Sequence, residues 1–326
     1  MQRSLIIGVG AGLAAAALYF TVISYSLLAV ILLYMAPLPL FIVGFGWGSA
    51  AALVGAIAGT AVIWLTTDYR SALLFVVTVA LAPAILSYLA LLSRDTSEAS
   101  DSEGAPLVAG RQFYPEGRLV LWTAALAGLI ATTAVILLGP DAESFRAVLR
   151  EAVTRMFSTQ PGLQEQLKTT GDLNLDGFIE MFVWMLPAVS ALLWMLSSLI
   201  NLFLAVRIVA LSGRALRPWA PFSSLAFPRS MAIAPFAAMA ASFVPGTVGL
   251  LGNIFLAVSL AAFAVLGLAV IHSKTLGFTS RPLLLGALYA ALLIFNWIVL
   301  LALSGVGLAN TLAGRPGPSN GPIIRR

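Results

Sequence analysis

The sequence predicts an all-α, polytopic membrane protein: a transmembrane helix bundle of about eight to nine spans, one of them short or broken near residues 27–40. Three observations carry this. The 326 residues are 60% hydrophobic and 10% charged, whereas a soluble domain carries about 25% charged residues. Mean hydropathy is +0.99. Long apolar runs alternate with short polar segments, and glycine and alanine recur within the runs at helical spacing.

Taken in order, the first helix is expected from Ser4 to about Val22, with Gly8, Gly12 and Ala16 four apart on one face. It is expected to be retained, since its apolar run continues without the polar break of a cleaved leader. A turn at Ser24–Ser26 leads to Leu27–Met35, too short to span alone, and Pro37 and Pro39 interrupt the apolar run just beyond it. Such irregular backbone is tolerated at membrane depth only when buried or lining a cavity. A glycine-rich helix then runs to about Thr66. Gly44, Gly48, Ala51, Gly55 and Gly59 fall within a narrow arc of it, so one side is almost free of side chains. This is a helix-packing or partner face. Asp68 and Arg70 mark a tight turn, and Ala72–Leu92 crosses back.

The polar stretch Arg94–Arg118 reads as a mobile loop between two halves, residues 1–93 and 119–312. After the span Leu119–Leu138 comes an amphipathic insert within 141–175. Phe145, Val148, Leu149, Val153 and Phe157 share one side, and Arg146, Arg150, Glu151 and Arg155 spread over the rest, the pattern of a helix lying in the interface. A helix from Asp176 to Leu211 is longer than a bilayer requires, with Pro187 as the expected kink. Next come a basic loop, Ser212–Arg229, two close spans at Ser230–Val244 and Thr247–Ile271, a second basic loop with His272, Lys274 and Arg281, and a last span, Leu283–Leu303. The tail, 313–326, is expected to be disordered.

The net charge is +5. Its arginines sit in short loops, which fits anionic lipid and the positive-inside rule rather than nucleic acid. The acid-free loop with Arg214, Arg217 and Arg229 is placed in the cytoplasm, with the N-terminus.

The search for chemistry is mostly negative. There is no cysteine, and neither Lys168 nor Lys274 follows a glycine, so there is no thiolate site and no P-loop. The single histidine, His272, reads as a helix-end residue before a proton carrier. No Asp or Glu falls near the middle of a span, which disfavours a carboxylate proton relay. Asp172, Asn174 and Asp176 open like a calcium loop, but the twelfth position is Val183, so they read better as acids at a helix N-terminus. No metal or other cofactor is expected, nor an enzyme, for want of a nucleophile and base. Asn201, Asn253 and Asn296 lie inside spans, as interhelical hydrogen-bond formers or as candidate polar groups of a cavity.

FAVLGLAVIHSKT (Phe263–Thr275), LLLGALYAALLIFNWIVLLALSGVGLAN (Leu283–Asn310), GRALRPWAPFSSLAFPRS (Gly213–Ser230) and the glycine helix after APLPLF resemble the DUF2232, or YybS-like, family of bacterial membrane proteins. The resemblance implies a multi-pass protein of the bacterial inner membrane and no defined activity. That family's N-terminal half in turn is similar to the substrate-binding S components of energy-coupling-factor vitamin transporters. There, small residues four apart on the first helix pack on a coupling subunit. Gly8, Gly12 and Ala16 match the spacing, with glycine where alanine is usual. Two functions are expected on this basis: a substrate-binding subunit for a small organic solute, served by a coupling subunit and ATPases, or a non-transporting scaffold or assembly factor.

Overall fold

The computed structural model describes residues 2–21, 26–95, 107–108, 111–139, 141–158 and 175–314. Among these, eight helical segments are long and apolar enough to cross a membrane, and the protein is an all-α bundle. By its contacts the chain divides into two units. One comprises Met1–Thr123, Trp194–Arg229 and Ala262–Arg326, the other Ala124–Leu193 and Ser230–Ala261.

The first unit begins with α1 (Gln2–Phe20), α2 (Leu27–Tyr34), α3 (Leu38–Trp47) and α4 (Ser49–Thr66). The broken span of the sequence is therefore α2 plus α3, together long enough to cross, with Pro37 as the N-cap of α3. The glycine-rich run, however, is two helices rather than one. Gly48 has φ +104°, which ends α3 and starts α4. Only a residue without a Cβ takes that conformation cheaply, so the arc drawn through Gly44, Gly48 and Gly55 is cut in the middle.

In the next turn Asp68 caps α5 (Tyr69–Phe75), its carboxylate accepting from the Arg70 and Ser71 N–H groups at 2.7 and 3.0 Å. These bonds, that of Ser71 foremost, hold the Asp68 carboxyl below the usual carboxylate range. The helix continues through a π-helical turn, Val76–Ala80, into α6 (Leu81–Leu91). The π turn has a cause in Pro83, which cannot donate to residue 79 and would clash with its carbonyl in a regular helix. The loosened Thr78 carbonyl accepts the Trp194 indole N–H at 3.2 Å.

The described parts of the polar stretch form a small sheet. Ser93–Asp95 (β1), Leu107–Val108 (β2) and Arg111–Phe113 (β3) form a small antiparallel sheet in the order β1-β3-β2. Beyond it lie α7 (Glu116–Leu138) and then α8 (Ala142–Ser158), capped by Asp141. The Ser144 N–H bond, with smaller help from Glu143, lowers the Asp141 carboxyl as at Asp68. In the second unit Phe145 and Val153 are buried while the α8 arginines stay in solvent-facing positions. Arg150 pairs with Glu180 at 3.2 Å. The long helix α9 (Leu175–Leu211) passes through Pro187 without leaving helical geometry.

The expected span Ser230–Val244 is replaced by something shorter. Its helix, α10 (Ile233–Ser242), has ten residues, about 15 Å at 1.5 Å per residue and half a hydrocarbon core. The last two helices are α11 (Thr247–Lys274) and α12 (Arg281–Leu312). Before α10, an irregular stretch with short 3₁₀ turns lies along α11, Phe222 against His272 and Phe227 against Phe263. A Cβ on Gly117 at the start of α7 would overlap the Ala226 carbonyl, so this stretch is held at backbone distance.

Candidate functional site

The small-residue faces meet each other. A Cβ on Gly8 would overlap the Ala51 carbonyl, and one on Gly12 that of Gly55. Conversely, a Cβ on Gly55 would stand 2.6 Å from the Gly8 oxygen, and one on Gly59 2.8 Å from the Gly12 oxygen. Ala16 is buried beside them with Leu40, Ile63 and Phe75. Thus α1 and α4 touch backbone to backbone, where dispersion and weak Cα–H···O contacts are strongest. Gly44 approaches Ser87 of α6, whose fully buried hydroxyl donates to the Pro83 carbonyl at 2.5 Å. Gly48 stands apart, with nothing within 4 Å of where its Cβ would be.

A polar cluster sits at the break between α2 and α3. The last carbonyl of α2, Tyr34, accepts from Ser197 Oγ at 2.9 Å and Asn201 Nδ2 at 2.7 Å, both on α9. Asn201 Nδ2 also donates to the Ser197 carbonyl at 2.8 Å. Two carbonyl acceptors fix the orientation of this amide, so the opposite atom is the oxygen. Asn201 is fully buried, and its Oδ1 accepts no hydrogen bond among the described residues. A buried acceptor without a donor costs about 1–3 kcal/mol and is a place for a water or a ligand.

The three span asparagines have different surroundings. Asn253 is half-buried on α11 in the second unit. Asn296 lies exposed on α12, where it has φ 29° and ψ −94° inside an otherwise helical segment.

The arginines of the basic loop also have different partners. Arg214 lies over the Trp47 ring at 5.1 Å, and Arg229 donates to the Gly314 carbonyl at 3.3 Å. Arg217 is no headgroup anchor. It is 2% exposed and donates to the carbonyls of Ala90, Tyr114 and Pro218 at 2.7, 2.8 and 3.1 Å. Its Nη2 pairs with Glu116, and its plane lies 4.3 Å from the Trp219 ring centre and 5.4 Å from that of Phe113. Burial pulls the guanidinium down from its ordinary value and Glu116 pushes it back, leaving it charged.

His272 Nδ1 donates to the Leu268 carbonyl at 2.9 Å, which leaves Nε2 to accept from the Tyr289 hydroxyl at 3.2 Å. Asp172 and Asn174 lie outside the described residues, and of Asp176 only the backbone, in α9, is described.

A family model described as "Predicted membrane protein (DUF2232)" matches residues 13–311. No curated protein and no solved structure matches the chain.

Proposed function

Because the chain belongs to the DUF2232 family of predicted membrane proteins, whose description names no activity, we propose that it is a substrate-binding membrane subunit for a small organic solute. The observation that carries this reading is the Asn201 acceptor, buried and unmet at a broken transmembrane segment. Discontinuous spans with convergent polar groups are where membrane carriers hold their substrates. The group left over is an acceptor, and no acid lies near the middle of a span. The fitting solute is therefore uncharged and brings an N–H or O–H donor. Lacking a P-loop, such a subunit takes its energy from a coupling subunit and ATPases in a bacterial inner membrane.

Native mass spectrometry of the purified protein tests this. A solute of constant mass should be retained by the wild type and weakened in Ser197→Ala and Asn201→Leu. Loss of every adduct on mild activation, together with pulldowns that bring down no coupling subunit, would leave only water at Asn201 and reject the reading.

One observation favours a scaffold instead. The Gly8 and Gly12 face, expected to receive a coupling subunit, is taken up by α4. A carrier must then offer its partner another surface.

A further inference from the structure

We propose that α2 is a gate beside the Asn201 site, latched to α9 through the Tyr34 carbonyl and hinged at Met35–Pro37. The use of the gate rests on the reading of Asn201 as a solute-binding group, whereas its motion is a property of the fold.

The two halves of the broken span differ in what holds them. In α3, Leu40, Phe41, Val43 and Phe45 are buried, so this half is anchored. In α2, Leu28, Val30, Ile31 and Tyr34 are exposed, Leu28 at 63% and Ile31 at 54%, and Ala29 is the one buried side chain described. Within a membrane such exposed side chains meet lipid, which is as apolar as they are, and no hydrophobic force presses α2 inward. Elements with few buried contacts are the ones that open locally. The joint suits a hinge. Pro37 has no N–H to continue the ladder, and one backbone bond, from Leu38 to the Met35 carbonyl at 3.0 Å, crosses it among the described residues.

Polar bonds therefore carry much of the hold on α2. Thr21 Oγ1 reaches the Ala29 carbonyl at 3.3 Å, and Ser197 Oγ and Asn201 Nδ2 donate to Tyr34 at 2.9 and 2.7 Å. Their helix, α9, is the fixed side. Its Met195, Ala205 and Val209 are buried. Trp194, seven residues before Asn201 and so on the same face, donates to the Thr78 carbonyl. The amide that latches α2 is also the one whose Oδ1 is unmet. When α2 swings away, Asn201 is uncovered and a solute can reach it. The freed Tyr34 carbonyl then needs a donor that lipid lacks, so the latched form predominates until water or the solute supplies one.

The chain has no cysteine, so Leu28→Cys with Ile200→Cys gives one labelling site on α2 and one on α9, both exposed. Spin labels there, in lipid nanodiscs, should show by double electron–electron resonance a main short distance and a minor longer one. Ser197→Ala removes one latch bond and should raise the long-to-short ratio about fivefold, and Asn201→Leu should raise it further. A second pair, on Leu53 of α4 and Ile200, should stay unchanged in both variants. A Leu28–Ile200 distribution unaltered by Ser197→Ala overturns the gate, whether or not Asn201→Leu folds. So does equal widening of the Leu53–Ile200 pair, which would mean that α9 itself is released. Distances that shift as expected in a protein that retains no solute keep the gate and reject the carrier reading.

Discussion

The second span and the segment α12 are both broken near the midpoint of their sequence, and they treat the break in opposite ways. After α2, the Met35 and Ala36 N–H groups turn back onto the carbonyls of Ile31 and Leu33, and the Tyr34 carbonyl is met by Ser197 and Asn201 of another helix. Within α12, Asn296 interrupts the helix and faces outward with no such help. The lesson concerns what a polar residue in a span is for. Asn201 is a donor supplied to someone else's broken backbone, whereas Asn296 is itself the break. Composition treats them alike, and only their surroundings tell them apart.

Substitutions can push the two cases further apart. The largest effect is expected for Gly55→Leu, which drives a side chain into the Gly8 carbonyl on one side and Leu40, just beyond the first break, on the other. Overpacking against backbone costs about 3 kcal/mol or more, so little folded protein should survive size-exclusion chromatography. A wild-type profile would mean that α1 and α4 are not in backbone contact. Next comes Asn201→Leu, which takes a donor from Tyr34 and should lower stability by about 2 kcal/mol, read as a fall in melting temperature. Gly48→Ala has space for its methyl but not the backbone, and should lose about 1–2 kcal/mol. An unchanged melt there would show that the α3–α4 joint does not need positive φ. Smallest is Asn296→Gly, whose effect in detergent should stay within about 0.5 kcal/mol, since the residue is exposed, makes no hydrogen bond among the described residues, and glycine relieves its φ. A large loss would show that Asn296 has a partner inside its own chain.

Much of this architecture is legible in the sequence because lipid imposes lengths. Spans such as Leu119–Leu138 and the half-span at Leu27 emerge from counting apolar residues and noting Pro37. Glycine is harder to read, since the same residue serves as a flat packing surface at Gly12 and as a joint at Gly48, and spacing does not distinguish the two. Likewise, hydropathy does not show that α10 stops at ten residues, nor that Phe227 ahead of it packs on Phe263 of α11. Asn201 and Asn296 could be named as candidates from the sequence, but their surroundings could not. The Glu116–Arg217 pair was out of reach for a simpler reason, that its members lie 101 residues apart.

That separation bears on how the protein is made. Arg217 ties together Ala90, Tyr114 and Glu116, the end of α6 and the start of α7. When Glu116 emerges from the ribosome its counter-ion has not yet been synthesised. At about 5–20 residues per second, the 101 positions from Glu116 to Arg217 take roughly 5–20 s to translate. Throughout that interval the first four spans stand in the membrane with the junction between α6 and α7 unlocked. Arg217 is thus a closing bolt, thrown only after α9 has been inserted, and a chain truncated before it would keep its early helices but not the joint between α6 and α7.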